Sequence, residues 1–390
     1  MSLEPVFRPR SVAVIGASRD PGKLGHQILR NILDAGFSGR VYPVNPKADE
    51  VLGLRCYRSV SEIPGEVDLA VIVIPARFVP GAVREAAEKG ARGFVVISGG
   101  FREVGNLELE RELVRAVREV GGRLIGPNCQ GVSNPHVGLC ASWPLVRRAG
   151  PVAVVSQSGT VGAFMEESLE RDGIGVSKFA ALGNKADVGE EDMLEFLADD
   201  PDTRVVALYV EGVRDGRRFM EALARCCSRK PVVVLKSGRT EAGARAVASH
   251  TGALAGRDEV YDAAIRQAGA IRVPDLESFI DAVEALAVYG PPRGRRVLIV
   301  TSSGGSGIIA SDVIEEEGME LAALSEEARE RLREELPGFV VVGNPLDLTG
   351  SAYAELYDRA LAALSGCLLY TSDAADDGES VDLGGRRIIK

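Results

Sequence analysis

One of the three histidines of this chain lies among small residues. His250 stands in the stretch "SHTGALAG" (249–256), which contains two glycines. A neutral imidazole, with an ordinary pKa of about 6.5, can attack phosphorus without a separate base if a second group orients its other nitrogen. Because each glycine would destabilise a helix interior, we expect His250 in a mobile loop before a helix over "DEVYDAAIRQAG". A capping or hydrogen-bonding role is the other interpretation of an isolated histidine.

A carboxylate and a small-residue turn are the candidates to work with this imidazole. Glu211, in "YVEG" at the end of an expected strand, could orient the ring. The turn "SQSGT" (156–160) follows an aliphatic run and precedes a helix that we expect to begin near Val161. Its residues Ser158, Gly159 and Thr160 offer backbone N–H groups and hydroxyls to a phosphate, although serine and threonine are also ordinary helix caps. One helix terminus stabilises an anion by only roughly 0.3–1 kcal/mol, so other donors must converge there.

A third candidate site is the turn from Gly16 to Gly25, "GASRDPGKLG". Its spacing is not the G-x-G-x-x-G of NAD-binding folds, and the next expected strand ends in "YPVNPK", without the acidic residue that binds a ribose. Lys23 and Lys47 instead supply positive charge. This pattern favours a phosphorylated nucleotide other than NAD, and coenzyme A (CoA) is the obvious one. A plain strand-to-helix turn with solvated lysines is the alternative.

Each candidate turn belongs to a repeated pattern of aliphatic run, Gly/Ser turn and helical sequence. The copies are "SVAVIGASRDPGKLGHQILRNIL" from residue 11, "PVAVVSQSGTVGAFMEESLE" from 151 and "RVLIVTSSGGSGIIASDVIEEEG" from 296. Each predicts the first strand, turn and helix of an open parallel sheet, so the fold class is α/β and ligands are expected at the carboxyl ends of strands. We therefore expect three doubly wound domains, covering residues 1–145, 146–290 and 291–366.

The last stretch, residues 367–390, has neither helical nor strand periodicity. It resembles the translation of a sequencing or cloning adapter, and we expect it to be a non-native tail that leaves the third domain truncated. A native disordered tail is the alternative.

The bulk composition narrows the function classes. A net charge of -10 argues against a general nucleic-acid or membrane-surface binder. No stretch approaches the roughly 18 apolar residues of a membrane span, so we expect a soluble cytoplasmic protein. The six cysteines lack paired CxxC spacing, which predicts reduced and mostly buried thiols. His26 and His136 lack the neighbours of a metal-ligand set, and we expect them on a helix surface and in a loop.

Taken together, the motifs resemble those of the ADP-forming acyl-CoA synthetases, a family related to succinyl-CoA synthetase. The similarity runs from residue 1 to about 366. The motifs, in order, are "VAVIGAS…GKLGHQI", "VYPVNPK", "VIVIP", "ISGGFRE", "GPNCQGV", "SQSGT", "LGNKADV", "YVEG", "KSGRTEAGARAVASHTGALAG" and "NPLDLTGSA". The resemblance implies a Rossmann-type CoA-binding domain followed by two flavodoxin-like domains, with a phosphohistidine formed during turnover.

By position, the resemblance assigns roles to the candidate residues. His250 is the phosphorylated residue and Glu211 its orienting carboxylate. The phosphate cradle is Ser158, Gly159 and Thr160. The CoA site comprises Pro21, Gly22, Lys23, Gly25, Lys47, Ile97, Ser98, Gly99 and Asn128. Asn128 and Cys129 would lie near the CoA thiol, although burial alone could explain the cysteine.

Two departures from the family pattern shape the expected function. Ala163 stands where succinyl-CoA synthetases usually carry a tyrosine, which weakens the case for succinate. No segment resembles the ATP-grasp domain that binds ADP or ATP with Mg²⁺, so that part must be a separate subunit or a fused C-terminal domain. The resemblance thus implies an oligomeric acid–CoA ligase (ADP-forming) that acts on acetyl-CoA or another short acyl-CoA.

Two other functions stay open on the sequence. A CoA-binding regulatory module, or the noncatalytic part of a protein acyltransferase, would keep Lys23 and Lys47 but have little need of His250, Glu211 and "SQSGT". An NAD-dependent oxidoreductase is disfavoured by "YPVNPK".

Overall fold

The structure of this protein is a computed structural model. It describes residues 2–251, 256–292, 294–364 and 380–381, and for residues 247–251 and 380–381 only the backbone. The chain divides into two compact units, Met1–Val288 and Tyr289–Lys390.

The first unit contains a five-stranded parallel sheet in the order β2-β1-β5-β6-β7. Its strands are Ser11–Ile15 (β1), Arg40–Val44 (β2), Leu69–Ile72 (β5), Gly93–Val96 (β6) and Arg123–Ile125 (β7). A small antiparallel pair, Glu50–Val51 (β3) and Leu54–Arg55 (β4), follows β2. Every residue of β1, β5 and β6 is buried, as expected of strands covered on both faces by helices.

A seven-stranded sheet in the order β14-β13-β12-β10-β11-β8-β9 completes the first unit. Its strands are Val132–Asn134 (β8), Leu139–Ala141 (β9), Ala149–Ser156 (β10), Val176–Ala181 (β11), Val205–Val210 (β12), Val232–Lys236 (β13) and Ile271–Val273 (β14). The strands from β14 to β11 are parallel, whereas β8 and β9 join the edge in antiparallel fashion. The second sheet therefore takes two strands from the sequence before residue 146.

Helices connect these strands. They are Glu4–Phe7 (α1), Leu24–Asp34 (α2), Val79–Glu88 (α3), Leu107–Glu119 (α4), Gly159–Arg171 (α5), Glu190–Asp199 (α6), Gly216–Cys227 (α7), Glu241–Thr251 (α8), Asp258–Gln267 (α9) and Leu276–Tyr289 (α10). Single 3-10 turns occupy Val60–Glu62, Ala76–Phe78, Arg102–Val104 and Pro135–Val137.

The second unit is built on a smaller parallel sheet in the order β16-β15-β17, with β18 also paired to β15. Its strands are Arg296–Thr301 (β15), Glu320–Leu321 (β16), Leu346–Asp347 (β17) and Ser380–Val381 (β18). Its helices are Gly304–Glu316 (α11), Glu326–Glu335 (α12) and Ala354–Leu364 (α13). Buried leucines and alanines of α12 and α13 pack against β15 and β17.

The three repeated sequence patterns fold as predicted. Each aliphatic run forms a parallel strand and each Gly/Ser turn leads into a helix: β1 into α2, β10 into α5 and β15 into α11. In the first copy, two glycines explain how strand and helix approach so closely. A Cβ on Gly25 would overlap the carbonyl oxygen of Gly16, and Gly16 itself has a positive φ of 99°.

No helix among the described residues is both long and apolar enough to cross a membrane.

Candidate functional site

Two predicted site loops meet at the carboxyl edge of the second sheet. Strand β10 ends at Ser156 and pairs in parallel with β12, which ends at Val210, immediately before Glu211. Between them lies Gln157, whose side-chain Oε1 accepts hydrogen bonds from the backbone N–H groups of Glu211 at 2.5 Å and Gly212 at 2.9 Å. Both Gln157 and Glu211 are buried. One amide side chain thus fixes the position of "YVEG" relative to "SQSGT".

The turn "SQSGT" caps helix α5, which begins at Gly159, two residues before the expected start. The Ser158 hydroxyl accepts a hydrogen bond from the Val161 N–H at 3.4 Å, as an N-cap does. A Cβ on Gly159 would lie 2.7 Å from Oε1 of Gln130, so a larger residue here would require the Gln130 side chain to move. Thr160 is exposed. The first N–H groups of a helix have no partner within it, so this end can receive an anion.

A buried ion pair supports the Glu211 loop from the side of β11. Lys185, in "LGNKADV", is 5% exposed, and its Nζ lies 2.8 Å from Oε1 of Glu190. The same ammonium donates a hydrogen bond to the backbone oxygen of Gly212 at 2.5 Å. Burial raises the pKa of Glu190, and the charge of Lys185 opposes that rise. The ammonium thereby anchors the residue that follows Glu211.

A second buried lysine lies on the other side of Glu211, at the end of β13. Lys236 is 1% exposed, and its Nζ lies 4.6 Å from the ring centre of Tyr261. Burial lowers the pKa of Lys236, and the charges of Asp258 and Glu211 partly oppose this shift. The Tyr261 hydroxyl accepts a hydrogen bond from the Val213 N–H at 3.0 Å. The segment 211–213 is therefore held by hydrogen bonds with Gln157, Lys185 and Tyr261.

His250 requires a correction. Its backbone lies in the last turn of α8, not in the loop that the sequence predicted. The reason is composition: four of the eleven residues of α8 are alanine, the strongest helix former, and the glycines counted against a helix follow Thr251. The helix predicted after this stretch is confirmed as α9. The imidazole of His250 lies outside the described side chains, so its approach to Glu211 stays a prediction.

The predicted CoA turn lies at the carboxyl edge of the first sheet. Pro21, Gly22 and Lys23 are exposed between β1 and α2, and Lys47 is exposed after β2. A 3.0 Å hydrogen bond from the Gly22 N–H to Oδ1 of Asp20 shapes the turn. The glycine and the two lysines thus stand open to solvent, as binding of a phosphate group would require.

Two polar residues that the sequence did not single out join these loops. The Asn45 side chain donates to the Ala17 oxygen at 2.6 Å and accepts from the Lys47 N–H at 2.9 Å. The Arg19 guanidinium donates to the Lys47 oxygen at 3.3 Å. Asn45 and Arg19 thereby bring the two exposed lysine loops together.

Two residues of this turn differ from expectation. Gly25 is buried against Gly16 and so serves the contact between α2 and β1 rather than an open surface. His26, predicted on a helix surface, is only 4% exposed. Its ring lies 2.8 Å from the Ser18 backbone oxygen and 3.0 Å from the Arg30 guanidinium. These hydrogen bonds connect the turn to helix α2. His136, predicted in a loop, is exposed in a short 3-10 turn between β8 and β9.

The remaining predicted CoA-site residues follow β6 and β7. Ile97 is buried, whereas Ser98 is half-buried and Gly99 is exposed. The Ser98 backbone oxygen accepts a 3.0 Å hydrogen bond from the N–H of Asn128, which is exposed with a positive φ of 55°. The structure therefore brings these predicted residues into one wall.

This wall also touches the second sheet's loops. The Asn128 side chain donates to the Asn184 side chain at 3.4 Å, and the Asn184 N–H donates to the Pro127 oxygen at 2.9 Å. Asn184 in turn donates to Glu103 at 2.6 Å. Burial alone would raise the pKa of Glu103, but its hydrogen bonds from Asn184 and nearby backbone N–H groups lower it.

Cys129 has a structural setting. Its sulfur lies 3.3 Å from the Val96 oxygen, and burial raises the pKa of its thiol to about 12. A thiol with that pKa stays protonated at neutral pH and is a poor nucleophile. The other described cysteines are also unpaired, and most are buried, as predicted.

The described residues contain no group of three histidine, cysteine, aspartate or glutamate side chains that could hold a metal ion.

Comparison with known proteins agrees with this geometry. Family models match three consecutive ranges: the CoA binding domain at 10–135, the succinyl-CoA ligase like flavodoxin domain at 149–286 and the ligase-CoA domain at 297–365.

Among curated relatives, the alpha subunit of acetate–CoA ligase [ADP-forming] II from Pyrococcus furiosus is 44% identical over 364 residues. The alignment covers 93% of this chain and 79% of that subunit. Acetate–CoA ligase [ADP-forming] I from Archaeoglobus fulgidus is 45% identical, over 93% of this chain and 53% of its own length. The chain thus spans about half the length of such single-chain relatives.

Among solved structures, acetyl-coenzyme A synthetase 1 of Ca. Korarchaeum cryptofilum, in complex with phosphate and ADP, matches with a TM-score of 0.88. It is 41% identical and is matched over 93% of this chain and 79% of that one. With domain order, sequence and fold in agreement, the chain belongs to the ADP-forming acetate–CoA ligase family, as its alpha-type region.

Proposed function

We propose that this chain is the acyl-CoA-processing part of an acid–CoA ligase (ADP-forming). It interconverts acyl-CoA, phosphate and ADP with a carboxylic acid, CoA and ATP, and its acyl group is acetyl or another short chain. The observation that carries the proposal is the pair of hydrogen bonds that Gln157 accepts from the backbone of the Glu211 loop. These bonds hold that loop beside the start of α5. Two relatives that are 44% and 45% identical to this chain are named as acetate–CoA ligases.

The first step would use the open edge of the first sheet. CoA would lie against Pro21, Gly22, Lys23, Lys47 and the wall formed by Ile97, Ser98, Gly99 and Asn128, with Gly25 shaping the turn from behind. Lysine ammonium groups at the exposed loops would neutralise its phosphates. A phosphate oxygen attacks the thioester carbonyl, the C–S bond breaks, and the CoA sulfur leaves as thiolate and takes up a proton. The product is an acyl phosphate.

The second step would use the edge of the second sheet. A nitrogen of the neutral His250 imidazole attacks the phosphorus of the acyl phosphate, and the P–O bond to the acyl group breaks to release a carboxylate. The Glu211 carboxylate would accept a hydrogen bond from the other ring nitrogen and stabilise the cation that forms. Ser158, Gly159 and Thr160 would donate N–H and hydroxyl groups to the phosphoryl oxygens.

The third step requires a partner. The phosphoryl group would pass to ADP held with Mg²⁺ on an ATP-grasp subunit or fused domain, since relatives of this chain are named as alpha subunits. Transfer of this kind relies on positioning and charge neutralisation. The buried Lys185 and Gln157 supply the positioning on this chain.

A labelling experiment tests the proposal. The chain, with an ATP-grasp partner from an alpha–beta relative, is incubated with acetyl-CoA and radiolabelled phosphate, and acid-labile protein-bound label is counted. We expect label on the native chain and on the His136→Ala control, and none on His250→Ala. Label that survives His250→Ala, or no label with any partner, would remove the mechanism. Replacing acetyl-CoA by succinyl-CoA tests the acyl preference, and we expect less label.

A further inference from the structure

A basic groove lies on the first unit, and none of its lining residues belongs to the predicted CoA site or the phosphate cradle. It has a volume of about 410 Å³ and runs along helix α4, with Ala186 and Arg214 contributing from the other side. Five arginines line it, against two glutamates: the arginines are Arg102, Arg111, Arg115, Arg118 and Arg214, and the glutamates are Glu108 and Glu110. The lining therefore carries an excess of three positive charges in a chain whose net charge is -10.

The two glutamates are already paired with arginines of the groove. Glu110 lies 3.3 Å from Arg102, and Glu108 forms an ion pair with Arg111. Arg214 is also engaged, since its guanidinium donates to the backbone oxygens of Ala186 at 3.2 Å and Asp187 at 3.0 Å. These contacts fix the walls and leave the positive excess in place.

Arg115 and Arg118 carry two of these three charges, and Arg214 carries the third. The first two are exposed on α4, three residues apart, so their side chains lie on neighbouring positions of one helix face. Among the described residues, neither guanidinium has an ion pair or a side-chain hydrogen bond. Neighbouring guanidinium groups present several N–H donors at a spacing that suits adjacent phosphate groups.

The size and lining define the ligand class. A groove of this volume falls within the range of small-molecule sites, and its only apolar side chains are Val114 and Ala186. An acyl chain or an aromatic ring would find little apolar surface here. We propose that the groove binds a small anion with two or more linked phosphate groups.

The groove shares no lining residue with the predicted CoA site, although the two are neighbours. Asn184, which accepts a hydrogen bond from Asn128 of the CoA wall, also donates one to Glu110 of the groove at 2.9 Å. Lys23 and Lys47, by contrast, follow β1 and β2 at the other end of the strand order from β7. A ligand in the groove would contact α4 on one wall and the loop residues Ala186 and Arg214 on the other.

Calorimetric titration of the whole chain with inorganic triphosphate tests this site, because the probe has no base, ribose or thiol. We expect saturable binding that weakens by about tenfold or more in the Arg115→Gln/Arg118→Gln variant. A matched control, Arg217→Gln/Arg331→Gln, removes two exposed charges from α7 and α12 and should bind as the native chain does. Orthophosphate should bind at least about tenfold more weakly than triphosphate.

The CoA-site variant Lys23→Gln/Lys47→Gln separates this proposal from the proposed function. It should keep triphosphate affinity within about twofold, since its lysines lie outside the groove. Absence of binding would overturn the proposal. So would equal loss in the Arg217→Gln/Arg331→Gln control, loss in the lysine variant alone, or equal affinity for orthophosphate.

Discussion

The carboxyl edges of the two sheets in the first unit are built differently. At the edge of the first sheet, Lys23 and Lys47 are exposed, and backbone hydrogen bonds through Arg19 and Asn45 hold their loops. At the edge of the second sheet, Gln157 and Glu211 are buried beneath a network of polar contacts.

The difference reflects two kinds of task. An exposed charge attracts a phosphate over some distance and tolerates small displacements, so an open binding edge needs little internal support. A transfer step depends on the placement of reacting groups, and a displacement of about 1 Å can cost about a hundredfold in rate. The buried network of the second edge fits that stricter requirement.

The largest effect should come from breaking the buried ion pair. Lys185→Met leaves the Glu190 carboxylate without its partner in a buried position and should lower the free energy of unfolding by about 3–5 kcal/mol. Urea unfolding followed by circular dichroism measures it. As a control, Arg266→Gln removes an exposed pair with Asp262 and should change stability by less than about 1 kcal/mol. Equal losses of stability in the two variants would show that the buried ion pair of the second edge stabilises the chain no more than an exposed pair does.

The next effect concerns the amide that joins the two loops. Gln157→Leu removes the acceptor of the Glu211 and Gly212 N–H groups and should lower kcat with the ATP-grasp partner by about a hundredfold. The affinity for CoA should stay within about twofold, because the first edge is untouched. Gln267→Leu, at an exposed position of α9, is the control for the substitution type. A raised Kd for CoA with unchanged kcat would contradict the assignment of CoA binding to the first edge and of the transfer step to the second.

A smaller effect is expected at the open edge. Lys47→Gln removes one exposed charge and should weaken CoA binding by about fivefold at low salt, with kcat nearly unchanged. The loss should shrink as ionic strength rises, since solvent screens an exposed charge. Arg10→Gln removes a charge at the amino end of β1 and should leave CoA affinity unchanged. A salt-independent loss would indicate a buried contact instead.

The smallest effect should come from Cys129. Because burial raises the pKa of its thiol to about 12, it stays protonated across the working range and Cys129→Ala should lower kcat by less than about threefold. The pH profiles of the native chain and this variant should coincide between about pH 6 and 9. A step near pH 8.5 that disappears in Cys129→Ala would show a reactive thiol at this wall.

The sequence was a good guide to elements and loops. Aliphatic runs predicted the strands at both edges, and glycine and serine turns predicted where helices begin, because these signals are local. Glu211 at the end of β12 and Ser158 at the start of α5 lie where expected.

The polar supports could not be predicted in the same way. Gln157, Lys185 and Asn45 act through hydrogen bonds to residues far along the chain, and such partners depend on strand order rather than local pattern. The sequence signal for two of these supports was a polar residue shortly after a strongly apolar strand: Gln157 after β10 and Lys185 after β11. The helix at His250 was missed for another reason, since four alanines outweighed the neighbouring small residues.

A crystal structure of the chain with its ATP-grasp partner, after incubation with acetyl-CoA and phosphate, tests the central claim most directly. The account predicts phosphorus bonded to a ring nitrogen of His250, with its oxygens within hydrogen-bond distance of the backbone N–H groups at 158–160 and the other ring nitrogen facing Glu211. Phosphorus on another residue, or a modified His250 remote from both loops, would contradict it.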